Sequence, residues 1–339
     1  MIKALVVDDS ALMRALIGDI LNKDPGITVV GEAADPFEAR EAIKALKPDV
    51  LTLDIEMPKM NGLTFLKNLM RLHPLPVVMV STLTQHGADV TLEALELGAV
   101  DYVPKPSGGA TAALVAYGEL LREKVKVAAG ANLQQRQALP SHPAFGVNPR
   151  KLEAILIGAS TGGTEAVKRV LCQWPALMPP ILVVQHIRPF FSSAFTRHLN
   201  SLTPLDVQEL TKDTPIKPGQ VWVAPGDRHM RLVRRSGALW AQAFDDEPVG
   251  RHRPAVDVLF SSAAETGCGR MLAMLLTGMG KDGAEGMVKL AAGGATNWVQ
   301  DQASSVVWGM PRAAWEAGAA SGQYSLDQLA AKALKLLAS

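Results

Sequence analysis

The sequence predicts two consecutive α/β domains, each built on a parallel sheet, with a β-hairpin inserted in the second. Three observations carry that prediction. Short apolar runs alternate with segments of helical period along most of the chain, the pattern of repeated βα units. The chain has 339 residues, more than one hydrophobic core usually serves. The periodicity fades once, over residues 128–150, and then resumes.

Residues 4–7 read as a buried strand, followed by Leu12, Met13, Leu16, Ile17, Ile20 and Leu21 at helical spacing. Residues 29–30 mark a second strand. Phe37, Ala42, Ile43 and Leu46 mark a second helix, closed by Pro48. Residues 50–53, 77–80 and 100–103 supply three more strands, so a five-stranded parallel sheet covered on both faces is expected. The segment AAGANLQQRQALPSHPAFGVNPR, rich in Ala, Gln, Pro and Gly, reads as a linker. Residues 1–122 are therefore assigned to the first domain, 123–150 to its helical end and the linker, and 151–339 to the second domain.

In the second domain, strands are predicted at 155–157, 181–184, 221–223, 272–276 and 296–299. Helices are predicted at 164–171, 255–264, 284–291 and 326–337, giving a doubly wound α/β pattern. The stretch 207–243, broken by Pro218, Pro225 and Gly226, reads as a β-hairpin insert.

The formal net charge of +1 gives no reason to expect capture by nucleic acid or by a membrane surface. Cys172 and Cys268 are the only cysteines, which excludes a disulfide scaffold and suits a reducing compartment. The opening MIKALVVDDS reads as a strand rather than a signal peptide. No apolar stretch is long enough to span a bilayer. A cytoplasmic monomer is expected, with no nucleic-acid partner and no membrane insertion.

Acidic residues stand at the ends of predicted strands: Asp8 and Asp9 after the first, Asp54 after the third. Adjacent ends of a parallel sheet bring such carboxylates together, and their mutual repulsion favours a bound cation. Magnesium suits hard oxygen ligands. A carboxylate held there can take a phosphoryl group. Ser81 and Lys105 end the fourth and fifth strands and are placed to bond and neutralise that group. Pro106 suggests a fixed turn, with a cis bond as one option, that aims Lys105 inward. Singly, each residue has a plainer role: Asp9 or Ser10 as a helix cap, Asp54 as the opening of a turn before Pro58. Together, VVDDS, LDIEMP, KMNGL, VMVS and YVPKP resemble, in order and spacing, the response-regulator receiver domain of flavodoxin-like fold. The resemblance implies phosphorylation of Asp54 by a partner histidine kinase, with Asp8, Asp9 and Asp54 around magnesium.

The second domain opens with LIGASTGGTEAV: a strand, a serine between glycines, then a helix. Such a turn exposes the Ser160 hydroxyl at a helix N-terminus, where an oxyanion is favoured. The loop lacks the glycine spacing and the lysine of phosphate-cradling loops. His186 ends the strand ILVVQH, and Asp282 lies in the glycine turn of LLTGMGKDGAEGM. Alone, each has a commoner structural role, surface histidine or helix cap. All three fall at carboxyl ends of predicted parallel strands, which is the geometry a Ser-His-Asp triad needs. At this level, His229 or His252 with an intervening aspartate stays open as an alternative.

GASTGG, VVQH, APGDRHM, RHRPAVDVLF, TGMGKDGAEGM and QDQASSVVWGMPRAA resemble the chemotaxis protein-glutamate methylesterases, the CheB family. The resemblance implies that Ser160 is the nucleophile, His186 the base and Asp282 its orienter, with the Met279 N–H in the oxyanion hole and no metal at that site. It implies methyl-accepting chemoreceptors as substrates, release of ammonia from selected glutamines as a second activity, and control by the receiver. The rivals are a receiver-controlled transcription factor, a nucleotide-binding or scaffolding α/β domain, and an esterase of this family serving a pathway other than motility. The near-neutral charge and strand-rich second half argue against the first.

Overall fold

Aliphatic runs buried on both faces build the strands of two parallel sheets, one in each compact unit of the chain, Met1–Leu133 and Gln134–Ser339. The computed structural model describes residues 1–81, 84–106, 111–133 and 146–338. Residues 134–145 of the expected linker lie outside the described residues.

The first unit runs β1 (Ile2–Val7), α1 (Ala11–Asn22), β2 (Ile27–Ala33), α2 (Pro36–Leu46), β3 (Val50–Asp54), α3 (Gly62–Leu72), β4 (Val77–Ser81), α4 (Gln85–Leu97), β5 (Asp101–Pro104) and α5 (Thr111–Ala129). Every residue of β3, β4 and β5 is buried, as expected for strands covered on both faces. The sheet order is β2-β1-β3-β4-β5, all parallel, so the winding reverses between β1 and β3. The crevice at that reversal lies beyond the ends of the strands that carry Asp8, Asp9 and Asp54. Short polar side chains start the helices: Ser10, Asp35 and Asn61 accept from first-turn N–H groups.

The second unit runs β6 (Ala154–Ala159), α6 (Gly163–Leu171), β7 (Ile181–Gln185), α7 (Pro189–Leu202), β8 (Asp206–Glu209), β9 (Thr214–Pro215), β10 (Gln220–Val223), β11 (His229–Arg235), β12 (Ala238–Phe244), α8 (Val256–Glu265), β13 (Met271–Leu275), α9 (Ala284–Ala292), β14 (Thr296–Gln300), α10 (Met310–Glu316), β15 (Gly322–Tyr324) and α11 (Leu326–Leu337). Its seven-stranded sheet has the order β15-β14-β13-β6-β7-β10-β8, again all parallel. Winding reverses between β6 and β13. Arg169 of α6 donates from Nε and Nη2 to both carboxylate oxygens of Asp327, each at 2.8 Å, and so ties the helix behind the serine loop to α11.

The hairpin β11–β12 pairs antiparallel and joins β9 in a separate three-stranded sheet. Alternate residues Leu239, Ala241 and Ala243 of β12 are buried, the period-2 pattern of a sheet with one covered face. The insert is narrower than the expected 207–243. Residues 220–223 form the main-sheet strand expected at 221–223, and residues 206–209 extend that sheet further, where polar Asp206 and Gln208 of the edge strand β8 hide its membership from a periodicity reading. Helices α7 and α10 were not assigned from sequence either. Pro189 and Pro311 each sit in a first turn, where the missing N–H costs nothing.

Candidate active site

Ser160 follows β6 directly. Its N–H donates to the Thr277 carbonyl at 3.0 Å, and its own carbonyl accepts from Gly163 N–H at 2.7 Å and Gln185 Nε2 at 2.8 Å. The turn passes through Gly162 at φ +74°, a left-handed conformation that favours glycine, and a Cβ there would stand 2.7 Å from Val306 Cβ. The loop is therefore held rigidly from three sides.

His186 follows β7, with its N–H on the Ala159 carbonyl at 3.0 Å. Its ring bridges the other two groups: Nδ1 lies 3.1 Å from Ser160 Oγ, and Nε2 lies 2.7 Å from Asp282 Oδ2. Asp282 comes from the glycine turn after β13. Its Oδ2 also accepts from Val256 N–H at 2.7 Å, and its Oδ1 from Asp257 N–H at 2.9 Å, both at the N-terminus of α8. Burial pushes the Asp282 carboxyl up. The bonds from His186 and the two amides outweigh that push and hold it below its usual value. Asp282 is thus an anion at neutral pH and accepts from Nε2–H. That tautomer leaves the Nδ1 lone pair facing the serine hydroxyl.

Gly278 lets the chain after β13 pass against the serine loop. A Cβ there would stand 2.7 Å from Ser160 Cβ and 2.3 Å from Met310 Sδ. The next N–H, that of Met279, meets no acceptor among the described residues.

In the first unit, ligand oxygens of Asp8, Asp9 and Asp54 lie within 4.8 Å of one another, with Asp8 and Asp54 buried and Asp9 exposed. Lys105 Nζ reaches Asp54 Oδ2 at 2.8 Å and Asp8 Oδ2 at 3.2 Å. Burial pushes the Asp54 carboxyl up to about 6, with Lys105 opposing and the Asp8 charge adding to it. Ser81, buried at the end of β4, has its Oγ bonded by Thr91 Oγ1 at 2.8 Å. Lys105 is aimed inward without the cis option. The only cis peptide among the described residues is Arg253–Pro254, so the bond before Pro106 is trans.

The family model of the CheB methylesterase matches residues 155–333, the span that contains Ser160, His186 and Asp282. The chain belongs to the CheB methylesterase family. The response regulator receiver domain model matches residues 4–116 of this CheB-family chain. The protein-glutamate methylesterase/protein-glutamine glutaminase 2 of Vibrio vulnificus is 55% identical over 332 residues, 96% of each chain. The protein-glutamate methylesterase/protein-glutamine glutaminase of Methylobacillus flagellatus is 47% identical over 347 residues, 99% of this chain and 97% of that one. The crystal structure of the Thermotoga maritima CheB methylesterase catalytic domain superposes with a TM-score of 0.53 at 34% identity, covering 54% of this chain and 98% of that one.

The two remaining histidines of this CheB-family site are not joined to Ser160. His229 is fully buried: its Nε2 faces the Glu247 carbonyl at 3.0 Å and its Nδ1 accepts from Ala255 N–H at 3.3 Å. It therefore clips both ends of the 247–255 loop. His252 lies flat on His186, with ring centroids 3.7 Å apart and 12° between the planes. The sequence reading also passed over Asp257. Its Oδ1 accepts from Gly286 N–H of α9 at 2.6 Å while its own N–H holds Asp282. In sequence it resembles any first-turn acid of a helix, so only the clasp between α8 and α9 distinguishes it.

Proposed function

We propose that this chain is a phosphorylation-regulated serine hydrolase that removes methyl groups from glutamate esters of methyl-accepting chemoreceptors and deamidates selected glutamines there. The observation that carries the reading is the continuous chain of hydrogen bonds from Ser160 Oγ through His186 to Asp282 at the carboxyl ends of β6, β7 and β13.

In this mechanism Ser160 Oγ attacks the side-chain ester carbonyl while His186 Nδ1 takes its proton. The Met279 N–H stabilises the oxyanion; one such donor typically lowers a barrier by about 3 kcal/mol. His186 then returns the proton to the departing methoxide, releasing methanol, or to the amide nitrogen of a glutamine, releasing ammonia. Water, deprotonated by the same imidazole, cleaves the acyl-enzyme and restores Ser160. Asp282 keeps the reactive tautomer and stabilises the imidazolium.

The receiver supplies the control, with residues 1–122 as its domain, 123–150 as helical end and linker, and 151–339 as the hydrolase. Asp54 accepts the phosphoryl group from a chemotaxis histidine kinase. Asp8, Asp9 and Asp54 present hard oxygen donors within one ion's reach, which fits magnesium, and would hold it. Magnesium, when bound, neutralises charge on the phosphoryl oxygens. Ser81 and Lys105 then bond the phosphoryl group and report its arrival. On this reading the protein works in the cytoplasm as a monomer; no helix among the described residues is long and apolar enough to cross a membrane.

Methanol release from methylated receptor membranes, with and without a small phosphodonor, tests the reading. Ser160→Ala should abolish release; release at the wild-type rate would overturn the assignment.

A further inference from the structure

We infer that His252 is a positioning residue for the hydrolysis: its ring forms a wall that fixes the rotation of the His186 imidazole. The inference deepens the proposed function and rests on its assignment of Ser160 and His186.

The geometry of the bridge is demanding. His186 must aim Nδ1 at Ser160 and Nε2 at Asp282 at once, and rotation of its ring about Cβ–Cγ would misalign both. The torsion at that bond is broad and has no sharp intrinsic minimum. Asp282 restrains the ring edge at 2.7 Å. The His252 ring, stacked at 3.7 Å and 12°, restrains the face. A ring held at edge and face keeps one orientation through the proton transfers.

The backbone is built to deliver that wall. Val249 and His252 exchange both backbone hydrogen bonds, at 3.0 and 2.9 Å, around Gly250 and Arg251. These central residues have φ +58° and +73°, the two positive values that a type I′ turn requires. Glycine takes that conformation without cost, whereas Arg251 carries a Cβ into it. A strained position of this kind points to function when its surroundings over-determine it. Here they do. His229 clips Glu247 before the turn and Ala255 after it, and two residues beyond the cis Arg253–Pro254 bond the first amide of α8 holds Asp282. The stacked ring and the triad carboxylate are therefore set by one continuous segment, 247–257. This accounts for the APGDRHM and RHRPAVD motifs, which the triad itself leaves unexplained.

The test compares wild type, His252→Ala and His252→Phe in full-length protein. It reads kcat and KM for methanol release, the rate at which a fluorophosphonate labels Ser160, and the melting temperature. The Phe variant keeps a flat ring but no ring nitrogen. His252→Ala should lower kcat and the labelling rate by roughly tenfold to a hundredfold, the scale of a small misplacement of a reacting group, with KM nearly unchanged. His252→Phe should recover most of that loss. A folded Phe variant as slow as the Ala variant, or an Ala variant at wild-type kcat, overturns the inference. Should the Ala variant fail to fold, the Phe variant decides alone, since its ring either sustains wild-type turnover or does not. Ser160→Ala separates the layers: if it stays active, the triad assignment itself fails, whereas an inactive Ser160→Ala beside a fully active His252→Ala rejects only the wall.

Discussion

His186 turns Nδ1, not Nε2, toward Ser160, at 3.1 Å, and gives Nε2 to Asp282 at 2.7 Å. In the serine-protease template the two nitrogens are used the other way round. The proposed chemistry tolerates the exchange because each ring nitrogen can be donor or acceptor, and the carboxylate decides which carries the proton. The N-terminus of α8 makes the carboxylate dependable: the Val256 and Asp257 amides hold it, and the positive end of the helix favours its charge.

Asp282→Asn should cost both turnover and stability, because either orientation of the new amide sets its NH2 against an α8 N–H that Asp282 now accepts from. With the amide nitrogen turned toward His186, the tautomer with Nδ1 protonated is selected and leaves no lone pair for the Ser160 proton. A fall in kcat on the order of 10³–10⁴, with a small change in KM, is expected. Steady-state methanol release checks it, and a fall of less than tenfold would sink the tautomer argument.

Gly278→Ala should damage the site by crowding. The new methyl would press on Ser160 Cβ at 2.7 Å and Met310 Sδ at 2.3 Å. Overpacking of a filled site costs about 1–3 kcal/mol. Urea denaturation should show that loss, accompanied by a fall in labelling of Ser160 because the serine and the Met279 amide move apart.

Asp257→Asn should change stability in a pH-dependent way. Burial pushes the Asp257 carboxyl up to about 6, with the Gly286 amide opposing and the Asp282 charge adding to it. The folded chain thus holds this proton more tightly than the unfolded chain, whose carboxyl titrates near 3.9. The group's favourable contribution is present at low pH and is lost as pH rises through about 6. The neutral amide escapes that loss and can still accept from Gly286 N–H. The variant's melting temperature should exceed that of the wild type near pH 8, with the gap narrowing below about pH 6 and closing toward about pH 4. A gap independent of pH would contradict the buried-acid reading.

Asp54→Asn should abolish stimulation by a small phosphodonor while leaving basal hydrolysis intact, since the acidic cluster and the triad lie in different compact units. Chelation of magnesium should have the same signature. Methanol-release assays with and without phosphodonor and EDTA check both; loss of basal activity on chelation would place a metal in the hydrolytic step.

By itself the sequence determined the two α/β units and put Ser160, His186, Asp282, Asp8, Asp9 and Asp54 at strand ends. Burial period and the glycine turns after strands are local properties, and a parallel sheet brings its carboxyl ends to one edge. Only the tertiary structure decided which histidine faces the serine, through which nitrogen, and what the others do. His186, His229 and His252 all stand beside strands or loops of the same edge. They are separated by contacts that a type I′ turn at 250–251 and the clasp of α8 on Asp282 create. The same holds for β8, whose place in the main sheet comes from pairing with β10 rather than from its own polar composition. Ring orientation and edge pairing depend on residues distant in the chain, and no local periodicity encodes them.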